Sequence, residues 1–255
     1  MGNVQSVERA LSILEYISGS PDGVSISELS RELGLHKSTI HRILSTLVER
    51  GFVRNDEKNR RYKPGFKLFE IGSLVLNNLE LRKEVHPFLE ELKEKTGETI
   101  HLGILDEYEV LYIDKVESPQ TIRMYSMIGK KAPLHCTGLG KTLLAFSSPS
   151  LLDEVVEKKG LKKFTNNTIT EKEKLREHLK EVRERGYAID DSEHEREIKC
   201  VAGPIFDYNN QLIAAFSIST PITRITKERM DYFIKLVLEY SERISKSLGY
   251  VKKDA

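Results

Sequence analysis

The sequence predicts an α+β protein in two parts, because three patterns follow one another along its 255 residues. Apolar side chains first recur at helical spacing, a short hairpin follows, and from Thr99 the apolar period changes to two. Consecutive strands with hairpin-length joints imply a largely antiparallel sheet with helices packed against it.

The helical part can be read element by element. Val7, Leu11, Leu14 and Ile17 mark the buried face of a first helix from Val4, stopped by "SGSPDG". A second helix opens at "SISE", where the Ser25 hydroxyl can accept the Glu28 amide while Glu28 reaches back, a capping box. It buries Ile26, Leu29 and Leu33, and Gly34 ends it as a C-terminal cap. A third helix follows within a few residues, with Ile40, Ile43, Leu44 and Leu47 as its apolar stripe, and stops before Gly51. Two helices joined by so tight a turn form a helix-turn-helix. In "GFVRNDEKNRRYKP" an extended run, a polar turn from Asp56 to Asn59 and a second run ending before Pro64 make a wing. Residues 1–65 therefore read as a winged helix-turn-helix.

Residues 66–80 read as a linker helix with Leu68, Ile71, Val75 and Leu79 on one face. Such a narrow seam suits a helix paired across subunits or one resting on its own domain. In residues 81–255 an amphipathic helix carries Val85, Phe88, Leu89 and Leu92 and stops at Gly97. Strands are expected at "TIHLGIL", "VLYIDKV" and "TIRMYSM", then a helix near "GKTLLAF". Another helix is expected from Glu171 to Arg185, with Thr170 and Glu173 as its capping box and Gly186 as its stop. Strands return at "YAID" and in the hairpin "CVAGPIFD" and "LIAAFSIST", joined through Asn209 and Asn210. A last helix after Thr226 buries Met230, Phe233, Leu236, Val237 and Ile244.

The third helix spends its apolar face on the core and leaves Lys37, Ser38, Thr39, His41, Arg42, Ser45 and Thr46 outside. Free amides and partial positive charge at a helix start make Lys37, Ser38 and Thr39 a phosphate-binding end. Arg42 and Ser45, about a turn further on, can reach base edges, where arginine pairs with guanine acceptors. The whole chain has a formal charge of only +1, so any affinity for nucleic acid must be local. Between His36 and Lys63 eight basic residues face three acidic ones, and Arg60 and Arg61 lie in the wing. An isolated basic helix is usually a solvated one; tight turn, wing and local charge together point to double-stranded DNA. One winged helix reads only a short half-site, so a second copy of the chain is expected.

Composition, with 39% hydrophobic and 31% charged residues, is that of a folded soluble protein. No apolar run approaches a membrane span and no signal core is visible, which places the chain in the cytoplasm without a membrane partner. Two cysteines are too few for a disulfide framework, and reduced thiols are expected. The absence of Trp and the dense Lys and Glu content point to a thermophilic source.

In the second part, "GLGKT" at Gly138 to Thr142 lacks the first glycine of a nucleotide-binding loop, because that position is His135. Cys136 beside His135, with His194 elsewhere, lacks a third orienting group for a cysteine nucleophile, so no catalytic residue is assigned. Ser217 and Ser219, two apart on one strand, share a face where paired hydroxyl donors would meet a carboxylate. Cys136, Asp190, His194 and Cys200, with His135 nearby, have the ligand types zinc accepts, though their spacing matches no compact zinc motif. No cofactor is required, and zinc stays open as an alternative.

The stretches "QSVERALSILEYI", "LGLHKSTIHRILSTLVERGFV", "TGETIHLGIL", "PLHCTGLGKTLLA", "RGYAIDD" and "CVAGPIFD", in this order, resemble the IclR family of bacterial transcriptional regulators. The resemblance covers almost the entire chain. It implies a homodimer, sometimes a dimer of dimers, with a winged helix, a linker helix and a C-terminal GAF-like domain that binds a small effector. It implies an effector pocket drawn from Met124, Gly138, Asp190, Cys200, Ser217 and Ser219. The family usually carries glycine where this chain has Glu197 and an acid where it has Ser192. The expected function is a ligand-responsive regulator, in particular a repressor, sensing a small carboxylate-bearing metabolite. A zinc-responsive regulator is the alternative, and a small-molecule enzyme fused to a winged helix comes third.

Overall fold

A computed structural model describes residues 4–56, 58–78, 80–121 and 126–251, and the chain divides into two compact units, Met1–Leu79 and Glu80–Ala255.

In the first unit α1 (Gln5–Ser18), α2 (Ile26–Leu33) and α3 (Lys37–Glu49) precede a hairpin of β1 (Val53–Asp56) and β2 (Arg61–Pro64), followed by α4 (Phe66–Asn78). The capping box forms as read: Glu28 N donates to Ser25 Oγ at 3.2 Å, and Ser25 N donates to Glu28 Oε2 at 2.7 Å. Gly34 ends α2 in the left-handed region at φ 63°, which a glycine adopts without a Cβ clash. Ser30 Oγ then donates to the Leu35 carbonyl at 2.7 Å and steadies the turn into α3. Ile13, Ile17, Val24, Leu29, Ile40, Leu44 and Val53 form the core, with Ile43 and Leu47 at its edge.

The face of α1 differs from the sequence expectation. Val7 and Leu11 are each 53% exposed, whereas Ile17 of the expected stripe is buried together with Ile13, and Leu14 packs at the edge of the core. Along α4, Ile71 and Val75 are also exposed, and Phe66, Phe69 and Leu74 widen the expected seam into a broader apolar surface. Leu79 lies outside the described residues.

The second unit is built on a six-stranded sheet in the order β5-β4-β3-β8-β7-β6, with every neighbouring pair antiparallel. Its strands are β3 (Thr99–Asp106), β4 (Glu109–Val116), β5 (Lys131–Pro133), β6 (Ala188–Asp191), β7 (Ile198–Phe206) and β8 (Leu212–Pro221). Helices α5 (Glu80–Thr96) and α9 (Lys227–Ser247) pack on one face. Helix α6 (Gly138–Phe146) packs on the other, backed by α8 (Lys172–Arg185), and α7 (Ser150–Lys158) joins that hydrophobic cluster. Alternation along the strands sends Ile218, Phe216 and Val201 toward the α9 side and Ser219, Ser217, Cys200 and Ala202 toward α6.

Several expectations are corrected here. Helix α8 begins at Lys172 with Glu171 as N-cap and makes no side-chain cap bond, so Thr170 and Glu173 form no capping box; Gly186 does end it, at φ 83°. The strand expected at "TIRMYSM" falls mostly on residues 122–125, outside the described ones, and Ser126 and Met127 are not in a strand. Strand β5 and helix α7 are additional elements. Tyr240, fully buried on α9, joins the predicted Phe233, Leu236, Val237 and Ile244, whereas Met230 stays partly exposed.

Candidate functional site

Helix α3 presents one side to solvent. Lys37, Ser38, His41, Arg42, Ser45 and Thr46 are exposed and Thr39 is partly so, because Ile40 and Leu44 consume the opposite face. Its N-cap, His36, makes no side-chain cap bond. The Thr39 amide is taken by the His36 carbonyl at 3.0 Å, while the first-turn amides of the exposed Lys37 and Ser38 have no hydrogen bond among the described residues. Open amides, the helix dipole and Lys37 therefore coincide at one end. Further along, Ser45 Oγ donates to the His41 carbonyl at 2.9 Å and Thr46 Oγ1 to that of Arg42 at 3.3 Å, so these hydroxyls face outward as acceptors.

The wing separates its two arginines. Arg60 stands at the tip, exposed, in the left-handed region at φ 53°. Arg61 is committed internally. Its Nε and Nη2 donate to the Gly23 carbonyl at 3.0 and 2.8 Å, and Nη2 donates to Glu28 Oε1 at 3.1 Å. The arginine thus ties the wing to the start of α2, a structural role that the sequence expectation of a DNA contact did not include. The Val24–Tyr62 bridge reinforces the same seam.

On the sheet, five of the six residues expected in the effector pocket come together. Asp190, Cys200 and Ser219 are successive cross-strand partners on β6, β7 and β8, and Ser217 pairs with Ala202 one step along the same face. A Cβ on Gly138, the first residue of α6, would stand 3.3 Å from the Cβ atoms of both Cys200 and Ala202, so the helix start lies directly over this row. Gly140 serves a different approach, that of α6 to the segment just after β5, since its Cβ would fall 2.4 Å from the Leu134 backbone. The sixth, Met124, lies outside the described residues.

Three residues the sequence reading did not select belong to this site. His101, on β3, faces Ser219 with Nδ1 3.1 Å from its Oγ, and His101 Nε2 lies 2.7 Å from Ser126 Oγ. Lys141 is buried on α6 and ion-paired with Glu193, whose other oxygen, Oε2, takes no hydrogen bond among the described residues. Inward spacing of His101 with Thr99 in "TIHLGIL" was the available signal for the first. Nothing local marks the Lys141–Glu193 pair, which spans 52 positions.

Burial sets the protonation of the site. It pushes Asp190 up to about 7, against the Glu193 amide, which donates to Asp190 Oδ1 at 2.8 Å, and the charge of Lys141. It drives His101 down to about 3, helped by the Lys115 charge, so the imidazole is neutral. The thiols of Cys136 and Cys200 are raised far above their ordinary value, chiefly by burial and then by Asp190. Cys200 Sγ donates to Ser219 Oγ at 3.2 Å as a neutral thiol.

The four residues weighed for zinc do not form a ligand cluster. Cys136, Asp190 and Cys200 share the buried region, but His194 packs edge-on against Phe164 at 5.0 Å. Among the described residues no group of three or more His, Cys, Asp and Glu side chains is placed to hold a metal ion. His135 donates through Nε2 to the Lys162 carbonyl at 2.9 Å and packs on Phe164 at 6.0 Å. Buried Lys141 is occupied by Glu193, so "GLGKT" offers no lysine to a nucleotide phosphate.

A helix-turn-helix with a cationic, exposed third helix, on a chain whose other unit is a helix-covered antiparallel sheet, defines a DNA-binding transcriptional regulator. Residues 6–57 match the IclR helix-turn-helix domain, and residues 73–246 match the bacterial transcriptional regulator IclR C-terminal domain. The chain belongs to the IclR family of bacterial transcriptional regulators. It is 38% identical to the transcriptional repressor IclR of Escherichia coli, over 97% of this chain and 91% of that one. It is 36% identical to the acetate operon repressor of Salmonella typhimurium over the same shares. Thermotoga maritima IclR superposes with a TM-score of 0.79 at 39% identity, covering 97% of this chain and 100% of that one. These relatives are named as regulators or repressors, not as enzymes. Among the described residues no helix is long and apolar enough to cross a membrane.

Proposed function

We propose that this protein is a cytoplasmic, homodimeric repressor that binds operator DNA through α3 and senses a small carboxylate-bearing metabolite beneath α6. The observation that carries the sensing half is the convergence of Gly138, Asp190, Cys200, Ser217 and Ser219 under one helix start. Ser217 and Ser219 supply hydroxyl donors, and the first-turn amides of α6 supply more. Asp190 in its protonated form donates rather than repels. Relatives named as repressors support the direction of regulation.

On DNA, Lys37, Ser38 and the open amides of α3 would hold phosphate, His41, Arg42 and Ser45 would face base edges, and Arg60 would touch the backbone from the wing tip. Val4 just before α1, Val7 and Leu11 on it, and Phe66, Phe69, Leu74 and Val75 on α4 are exposed apolar positions, which a second copy would cover. Effector binding changes operator affinity to the extent that the two states bind effector differently.

The test is a gel shift on selected genomic fragments, repeated with a panel of small carboxylic acids. The expected result is sequence-preferring binding that at least one acid weakens. Binding without sequence preference at low salt sinks the DNA assignment, and indifference to every acid in both gel shift and thermal shift sinks the effector assignment.

A further inference from the structure

We propose that the groove between α6, α7 and α8 is a second ligand site, for a small amphiphilic anion with an apolar body and one carboxylate or sulfonate group. The groove encloses about 260 Å³. Its floor is Leu144, Ala145, Leu152 and Leu179, which keep 4–7% exposure, while Leu143, Leu175 and Val182 on the same helices are sealed at 0–1%. The remaining apolar surface of these side chains therefore opens at the groove.

One rim is cationic. Arg176, Lys180 and Arg183 fall at intervals of four and three along α8 and so share a helix face with Leu179 beneath them. Arg176 is neutralised by Asp153 at 2.6 Å and by Glu173 at 3.4 Å. Lys180 and Arg183 form no ion pair among the described residues, and Arg183 Nη2 reaches only the Ser147 carbonyl on the opposite lip, at 3.4 Å. Two uncompensated cations over an aliphatic floor select a ligand with an anionic head and an apolar tail.

The groove is distinct from the buried site, yet both use α6. The first turn of this nine-residue helix lies over Cys200 and Ala202, and its last turn, with Leu144 and Ala145, floors the groove. A ligand at one end thus bears on the element that shapes the other.

Calorimetric titration of the full-length protein with octanoate tests the site, with octylammonium as the charge-reversed control. Octanoate is expected to bind and octylammonium not. Lys180→Gln/Arg183→Gln, at exposed positions, should weaken octanoate about tenfold or more with an unchanged melting temperature. Ser217→Ala, in the buried site, should leave octanoate affinity intact. The assignment is overturned if octanoate does not bind, if the double variant binds it like wild type, or if Ser217→Ala abolishes it. Loss of binding in Ser217→Ala would place octanoate in the buried site instead, and the other outcomes leave the effector assignment above untouched.

Discussion

Lys141 and Glu193 form an ion pair sealed inside the second unit, the lysine fully buried on α6 and the glutamate just beyond β6. The charges hold α6 against the β6 end of the sheet, where the helix start covers Cys200. Removing one partner strands the other in a medium that solvates charge poorly. Lys141→Met should therefore cost about 3–5 kcal/mol in urea unfolding, and adding Glu193→Gln should recover a large part of it. A double-variant loss equal to the sum of the two single-variant losses would show that the pair is not coupled.

The two wing arginines should behave oppositely. Arg61→Ala removes the hydrogen bonds to Gly23 and Glu28 and should lower the melting temperature of the winged-helix unit. Arg60→Ala should leave the melting temperature alone and reduce operator affinity on every sequence. Parallel thermal scans and salt titrations check the pair, and a DNA defect in Arg61→Ala without a stability defect would return that residue to the interface.

On α3, Arg42→Ala should weaken operator binding by about 1–3 kcal/mol and relax one base preference. Lys37→Ala should instead lower affinity uniformly and flatten the salt dependence by about one phosphate contact. Competition assays with single-base operator variants separate these outcomes. Wild-type behaviour in both variants contradicts the placement of α3 on DNA.

Asp190 makes stability pH-dependent with a definite sign. Its carboxyl is raised by burial from 3.8 to about 7, so the folded state holds a proton that the unfolded state releases between those values. Stability from this group is present below pH 4 and is lost as pH rises through about 7, on the order of 4 kcal/mol in all. Asp190→Asn should be more stable than wild type at pH 8, with the gap closing toward pH 4. Urea midpoints across that range measure it, and a pH-independent difference excludes the raised carboxyl.

Phe69→Glu with Leu74→Glu places charges on the exposed face of α4. Light scattering should show a monomer, and binding to a palindromic operator should fall while the fold is retained. A variant that remains dimeric moves the interface elsewhere.

Much of the first unit was legible in the sequence because its decisive interactions are short-range. The Ser25–Glu28 capping box spans three residues, Gly34 needed only its left-handed φ, and the exposed side of α3 followed from a 3.6-residue period. The same locality explains why Ser217 and Ser219 were correctly placed on one strand face. The false capping box at Thr170 and the exposed Val7 and Leu11 of α1 show where local pattern stops, since apolar spacing does not say which neighbours a helix meets.

Only the tertiary structure decided which polar groups would be buried together. His101 meets Ser219 across 118 positions, and Arg61 finds Gly23 across 38, because strand order and turn geometry bring them within hydrogen-bond reach. Helix period, caps and strand alternation are properties of a few consecutive residues and can be read from the chain. Which cation remains for DNA and which carboxyl keeps its proton depend on contacts and desolvation that exist only once distant segments have packed.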